Sequence, residues 1–177
     1  MGQKMFKNTI IAFLFTLFCS NALALPKCPG EKRVSSTWIN CNGSYKAIDG
    51  HTYVGDFDGK GRYTGYGILK NKGGIYEGQF LKNKFHGKGK QTIGANRSAS
   101  ISYYEGEFLM GTWNGKGKLW SEDGQFKYEG DFQKNDMTGY GTLTFRGLSV
   151  TGNWKNGGCN DQATCDSLKA TEKKYQK

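Results

Sequence analysis

A five-residue phrase recurs along the middle of the chain. It reads Tyr53-Val-Gly-Asp-Phe57, Tyr76-Glu-Gly-Gln-Phe80, Tyr104-Glu-Gly-Glu-Phe108 and Tyr128-Glu-Gly-Asp-Phe132, with a worn copy at Val150-Thr-Gly-Asn-Trp154. The central glycines Gly55, Gly78, Gly106, Gly130 and Gly152 are separated by 23, 28, 24 and 22 residues. A second phrase follows each full copy: Gly65-Tyr-Gly67, Gly87-Lys-Gly89, Gly115-Lys-Gly117 and Gly139-Tyr-Gly141. Self-similarity at this period marks short supersecondary units that bury their apolar face only by stacking on one another.

Alternation within the phrases gives the unit its form. In a strand, residues two apart share a face, which puts Tyr76, Gly78 and Phe80 on one side and Glu77 and Gln79 on the other. In the partner segment Gly115, Gly117 and Leu119 share a face opposite Lys116, Lys118 and Trp120, with Leu69 and Leu143 equivalent to Leu119. Asp58-Gly59-Lys60-Gly61, Leu81-Lys82-Asn83-Lys84, Asn114 and Lys134-Asn135-Asp136 suit the intervening turns. Each repeat therefore reads as a β-hairpin with one aromatic-glycine face and one charged face. Glycine weakens a strand unless something exploits the missing side chain. The expectation is that rings of neighbouring strands lie over the glycines, each burial stabilising by about 1.5–3 kcal/mol. Composition agrees: 27 Gly against 2 Pro, with 14% aromatics, fits neither collagen nor a disordered chain. The aromatics Tyr53, Phe57, Tyr76, Phe80, Tyr104, Phe108, Tyr128, Phe132 and Trp154 are the candidate lining of a groove.

The pattern Tyr-Glu-Gly-x-Phe followed by His-Gly-x-Gly, closest at Tyr76–Phe80 and His86–Gly89, resembles the MORN (membrane occupation and recognition nexus) repeat over roughly residues 50 to 156. The lead-in Cys28-Pro-Gly30 and Trp38-Ile-Asn-Cys41-Asn-Gly43 looks like the start of exported bacterial members. The resemblance implies an all-β, elongated single sheet of stacked hairpins that serves as a scaffold or dimerises. Thr64, Asn114 and Thr138 depart from its histidine, the first turn is one residue longer, and an insertion follows Gly94.

The ends read differently. Lys4 and Lys7, an apolar run from Ile10 to Phe18 and Ala22-Leu-Ala24 predict a signal peptide over residues 1–24, with a mature chain from Leu25. Cys19 leaves with it, so Cys28, Cys41, Cys159 and Cys165 remain, an even count that reads as two disulfides in an exported chain, periplasmic or secreted. Of the three pairings, the local one, Cys28–Cys41 with Cys159–Cys165, is expected. Residues 25–52 form an N-terminal cap with a degenerate half-repeat at Gly43-Ser-Tyr45, residues 53–157 the array of nine or ten strands, and residues 158–177 a basic tail with a short helix after Asn160-Asp161.

No catalytic constellation is present. His51 and His86 sit in or beside turn and repeat phrases, and acids repeated in every copy suit cross-strand pairing better than catalysis. Gly59-Lys60-Gly61 and Gly87-Lys88-Gly89-Lys90 lack the spacing of a phosphate loop. The chain is expected to be no enzyme and to need no cofactor or metal. The formal charge of +10, or +8 without Lys4 and Lys7, admits two partner classes. One is a protein or peptide in the aromatic-glycine groove. The other is anionic lipid or envelope polymer held by Lys82, Lys84, Lys134, Lys155 and Lys173-Lys174. Nucleic acid is disfavoured because rings and lysines fall on opposite faces, and an open sheet leaves edge strands free to pair with a second copy.

Overall fold

The computed structural model describes residues 24–29, 38–94 and 103–175. Residues 1–23 of the expected leader and most of the insertion after Gly94 lie outside the described residues. Eleven antiparallel strands follow one another as a meander in strict chain order, making a single open sheet. They are β1 (Cys41–Lys46), β2 (Thr52–Phe57), β3 (Tyr63–Asn71), β4 (Gly74–Leu81), β5 (Lys84–Ile93), β6 (Tyr103–Leu109), β7 (Thr112–Trp120), β8 (Phe126–Gln133), β9 (Asp136–Phe145), β10 (Leu148–Lys155) and β11 (Gly158–Cys159). One helix among the described residues, α1 (Gln162–Tyr175), follows β11. The count exceeds the expected nine or ten because the half-repeat supplies β1 and the worn fifth hairpin ends in the two-residue β11. At about 4.8 Å per strand the sheet spans about 48 Å.

The hairpin tips lie along one long side. Residues Lys82-Asn83, Met110-Gly111, Lys134-Asn135 and Asn156-Gly157 all take positive φ in pairs, from 50° to 97°. That is the two-residue turn whose twist matches paired strands. The third tip is therefore Met110-Gly111, and Asn114 lies inside β7. The expected turn at Asn114 is corrected because Gly111 accepts the left-handed backbone and restores the two-residue loop length. Each tip also bonds back to the preceding hairpin. Asn83 N–H donates to the Tyr63 carbonyl at 3.0 Å, Gly111 to Phe85 at 2.8 Å, Asn135 to Trp113 at 3.1 Å and Gly157 to Met137 at 3.1 Å.

Both terminal strands are clamped. Cys28 bonds to Cys41 and Cys159 to Cys165, the local pairing expected. At the N-terminal edge the Asn42 N–H donates to the Pro26 carbonyl and its carbonyl accepts from Cys28 N–H, both at 2.8 Å. At the other edge Asn153 N–H donates to Asp161 Oδ2 and Thr164 Oγ1, while its carbonyl accepts from Asn160 N–H. Asp161 caps α1 by accepting the Thr164 N–H at 2.9 Å, as its position before the helix predicts.

Candidate functional site

The repeating aromatics do not line a surface. Tyr53, Phe57, Tyr76, Phe80, Tyr104, Phe108, Tyr128, Phe132 and Trp154 are each at most 4% exposed and together form the core. From the second copy on, the phenylalanine or tryptophan packs edge-on against the tyrosine of the preceding repeat, Phe80 on Tyr53 at 5.1 Å, Phe108 on Tyr76 at 5.0 Å, Phe132 on Tyr104 at 5.1 Å and Trp154 on Tyr128 at 5.8 Å, while Phe57 packs on Trp38 at 5.3 Å. A second layer covers the tyrosines. Tyr63 and Phe85 stack on Tyr53 and Tyr76 at 3.7 Å, and Trp113 on Tyr104 at 4.4 Å. Met137 takes the same position in the fourth hairpin, paired with Phe132. The nine aromatics expected to offer a groove to a partner are thus consumed by the column that holds the hairpins together.

The glycines fall into two sets with separate causes. Gly43, Gly55, Gly67, Gly78, Gly89, Gly106, Gly117, Gly130, Gly141 and Gly152 stand opposite one another in register, an unbroken row of ten across β1–β10. Inside the array each tyrosine lies over two of them, one in its own strand and one in its hairpin partner. A Cβ on Gly106 or Gly117 would sit 2.6 or 2.5 Å from the Tyr104 hydroxyl. The ring covers its own hairpin rather than the adjoining one. Gly65, Gly87, Gly115 and Gly139 form the second set, with φ between 53° and 97°. There the register between the two strands of each hairpin slips. The slip is held from two sides. The tyrosine hydroxyl donates to the carbonyl three residues on (Tyr76 to Gln79 at 2.7 Å, Tyr104 to Glu107 at 3.0 Å). The fourth residue of the phrase accepts a main-chain N–H across the hairpin: Gln79 from Lys88, Glu107 from Lys116 and Asp131 from Tyr140. That side chain fills the place where a Cβ on the glycine would go.

On the face opposite the rings the glycine row becomes a floor. Side chains flanking it leave an open trough of about 960 Å³ whose lining runs from Tyr66 on β3 to Tyr140 on β9. A family model for the MORN repeat matches residues 76–94, 104–126 and 128–147. These stretches cover the hairpins β4–β5, β6–β7 and β8–β9. Residues 76–147 carry MORN repeats. No curated protein matches it. The hairpin β2–β3 lies outside the matched stretches but follows the same plan, with Tyr53 over Gly55 and Gly67.

One wall of the MORN trough is a charge ladder. Glu77, Lys90, Glu105, Lys118 and Glu129 are successive cross-strand partners. Lys90 lies 4.0 Å from Glu105, and Lys118 3.1 Å from Glu129. Bonds from Lys118 and Lys127 hold the Glu129 carboxyl below its ordinary value. In the other wall Tyr66, Lys88, Lys116 and Tyr140 fill the middle of the four Gly-x-Gly phrases. Lys116 pairs with Asp131 at 2.7 Å. Tyr66 and Tyr140 are 59% and 60% exposed, and the Tyr66 hydroxyl donates to Glu77 at 2.7 Å, which raises its pKa. Asp56, by contrast, accepts from Asn42.

The histidines stay apart. His51 Nδ1 lies 2.6 Å from Asp49 Oδ1 at a linker, and His86 is half-buried in β5. Among the described residues no cluster of three or more His, Cys, Asp or Glu is arranged to hold a metal. The sequence reading missed Tyr63, Phe85, Trp113 and Met137. An apolar residue two places before the first glycine of every Gly-x-Gly phrase was the available signal.

Proposed function

We propose that the chain is an exported, non-catalytic MORN scaffold that holds a protein or peptide partner along the trough of its charged face. The carrying observation is the glycine floor running unbroken between two walls of hydrogen-bonding side chains, while the repeat aromatics are withdrawn into the core. MORN repeats as a class support a scaffold or binding role. Export is supported by two disulfides, which suit an oxidising compartment, and by the leader-like residues 1–24. No helix among the described residues is long and apolar enough to cross a membrane. The test captures partners from envelope extract on immobilised mature protein and on a Lys90→Ala/Glu105→Ala/Lys118→Ala variant with an unchanged circular dichroism spectrum. Loss of the specific partners from the variant is the expected outcome, and their full retention sinks the reading. N-terminal sequencing of the exported chain should start at Leu25.

A second reading rests on the opposite distribution of charge. Lys60, Lys82, Lys84, Lys134 and Lys155 are all exposed along the hairpin-tip side, with exposed Leu81, Leu109 and Met110 among them. Such an edge fits an anionic lipid or envelope surface. Attachment there should fall steeply as salt rises and should survive the trough variant.

A further inference from the structure

We infer that the trough ligand is a polyproline-II peptide with a three-residue charge period, lying across the strands. This deepens the scaffold reading and rests on it. A chain running along the trough crosses strands about 4.8 Å apart, so equivalent side chains recur about every 9.6 Å, once per hairpin. A polyproline-II helix advances about 3.1 Å per residue with three residues per turn, about 9.3 Å per turn. One turn therefore meets one hairpin, and the mismatch stays near a tenth of a residue per repeat. A fully extended chain, at about 3.3 Å per residue with side chains alternating in twos, is about half a period out of phase at the very next hairpin.

The wall chemistry repeats with the same period. The two central hairpins each bring one acid and one base to the ladder, Glu77 with Lys90 and Glu105 with Lys118, while the flanking hairpins pair Val54 with Ile68 and Glu129 with Thr142 there. A ligand presenting one base and one acid per turn meets opposite charges across the two central hairpins and one further acid at Glu129. Its third residue faces the glycine floor, where proline suits because it brings no N–H to desolvate. Tyr66 and Tyr140 set the length. They hold equivalent positions in the first and fourth hairpins, three hairpin periods apart, about 29 Å. That is about nine residues of polyproline II. Their exposed rings offer the flat amphipathic surfaces on which proline-rich segments dock.

The test uses fluorescence anisotropy with the mature chain and labelled (Pro-Lys-Glu)4, against a scrambled peptide of the same composition. The expected result is that the periodic peptide binds at least tenfold more tightly than the scramble. The preference should vanish in a Tyr66→Ala/Tyr140→Ala variant and in a Glu105→Lys/Lys118→Glu swap, both with unchanged circular dichroism. Equal binding of periodic and scrambled peptides overturns the inference, as does tyrosine-dependent binding of a β-linked oligosaccharide with none of the peptide. If specific partners still depend on the trough in the capture experiment while the periodic peptide shows no preference, this inference fails and the scaffold reading stands.

Discussion

Gly117 and Gly157 show how differently two glycines of this array are constrained. A methyl on Gly117 would meet the Tyr104 hydroxyl at 2.5 Å and its ring at 2.7 Å, against a side chain wedged in the core. Gly157 has a left-handed φ of 79° but nothing within 4 Å of an added Cβ. Gly117→Ala should therefore destabilise by about 3 kcal/mol through overpacking, and Gly157→Ala by about 1 kcal/mol through backbone strain alone. Urea unfolding of the two variants checks the order, and reversal would refute the ring-over-glycine packing. Tyr104→Phe isolates the polar part of the same contact. It keeps the ring and removes the donor to the Glu107 carbonyl, so the expected loss is about 1 kcal/mol by the same measurement. The need for Gly106 and Gly117 was legible in the sequence, because alternation alone puts them on the ring face. The need for Gly115 was not. It depends on a register slip and on Glu107 reaching across the hairpin, and neither is visible in one strand.

The hairpin was legible as an element and its closure less so. Lys82-Asn83 and Lys134-Asn135 announce themselves by residue type, whereas Met110-Gly111 hides in an apolar run that reads as strand. What forces the turn there is pairing: Phe108 faces Trp113, leaving room for two residues beyond Leu109 and Thr112. The C-terminal helix is the other element whose role escaped the sequence. Gly152 has no tyrosine over it, since Val150 replaces the ring, and Thr164 of α1 occupies the space instead. At the opposite end Cys28 and Trp38 do the same for Gly43. Each cap thus imitates a missing neighbour, and each is stapled by a disulfide. A Cys159→Ser/Cys165→Ser variant should release α1 without dissolving the array. Hydrogen exchange in α1 and at Asn153 should accelerate while β4–β7 keep their protection. Uniform loss of protection would show that the cap is integral to the core.

Across the whole molecule the rings form one column, so stability belongs to the array rather than to any hairpin. Among the described residues the strands pack chiefly on their neighbours in chain order, which makes neighbouring interfaces the unit of cooperativity. The column also sets the response to pH. Burial pushes the Tyr63 and Tyr128 hydroxyls up to about 12, and it raises those of Tyr53, Tyr76 and Tyr104 as well. A raised pKa means that the folded chain keeps protons the unfolded chain has released. Their contribution to stability is complete below pH 10 and is lost progressively as the pH climbs above 10, through about 12 for Tyr63 and Tyr128 and higher for the other three. Asp58 acts in the opposite direction at the acid end. Burial favours its neutral form, but hydrogen bonds from Arg62 and Lys60 prevail and hold it at about 2, so its contribution is lost between pH 4 and pH 2. One aspartate clamps one turn, whereas five tyrosines sit in one continuous column. The alkaline transition should therefore be the cooperative one, with circular dichroism and phenolate absorbance changing together above pH 10. If the buried tyrosines ionised gradually around pH 10 with the sheet signal intact, they would be in contact with water and the column would not be what joins the repeats.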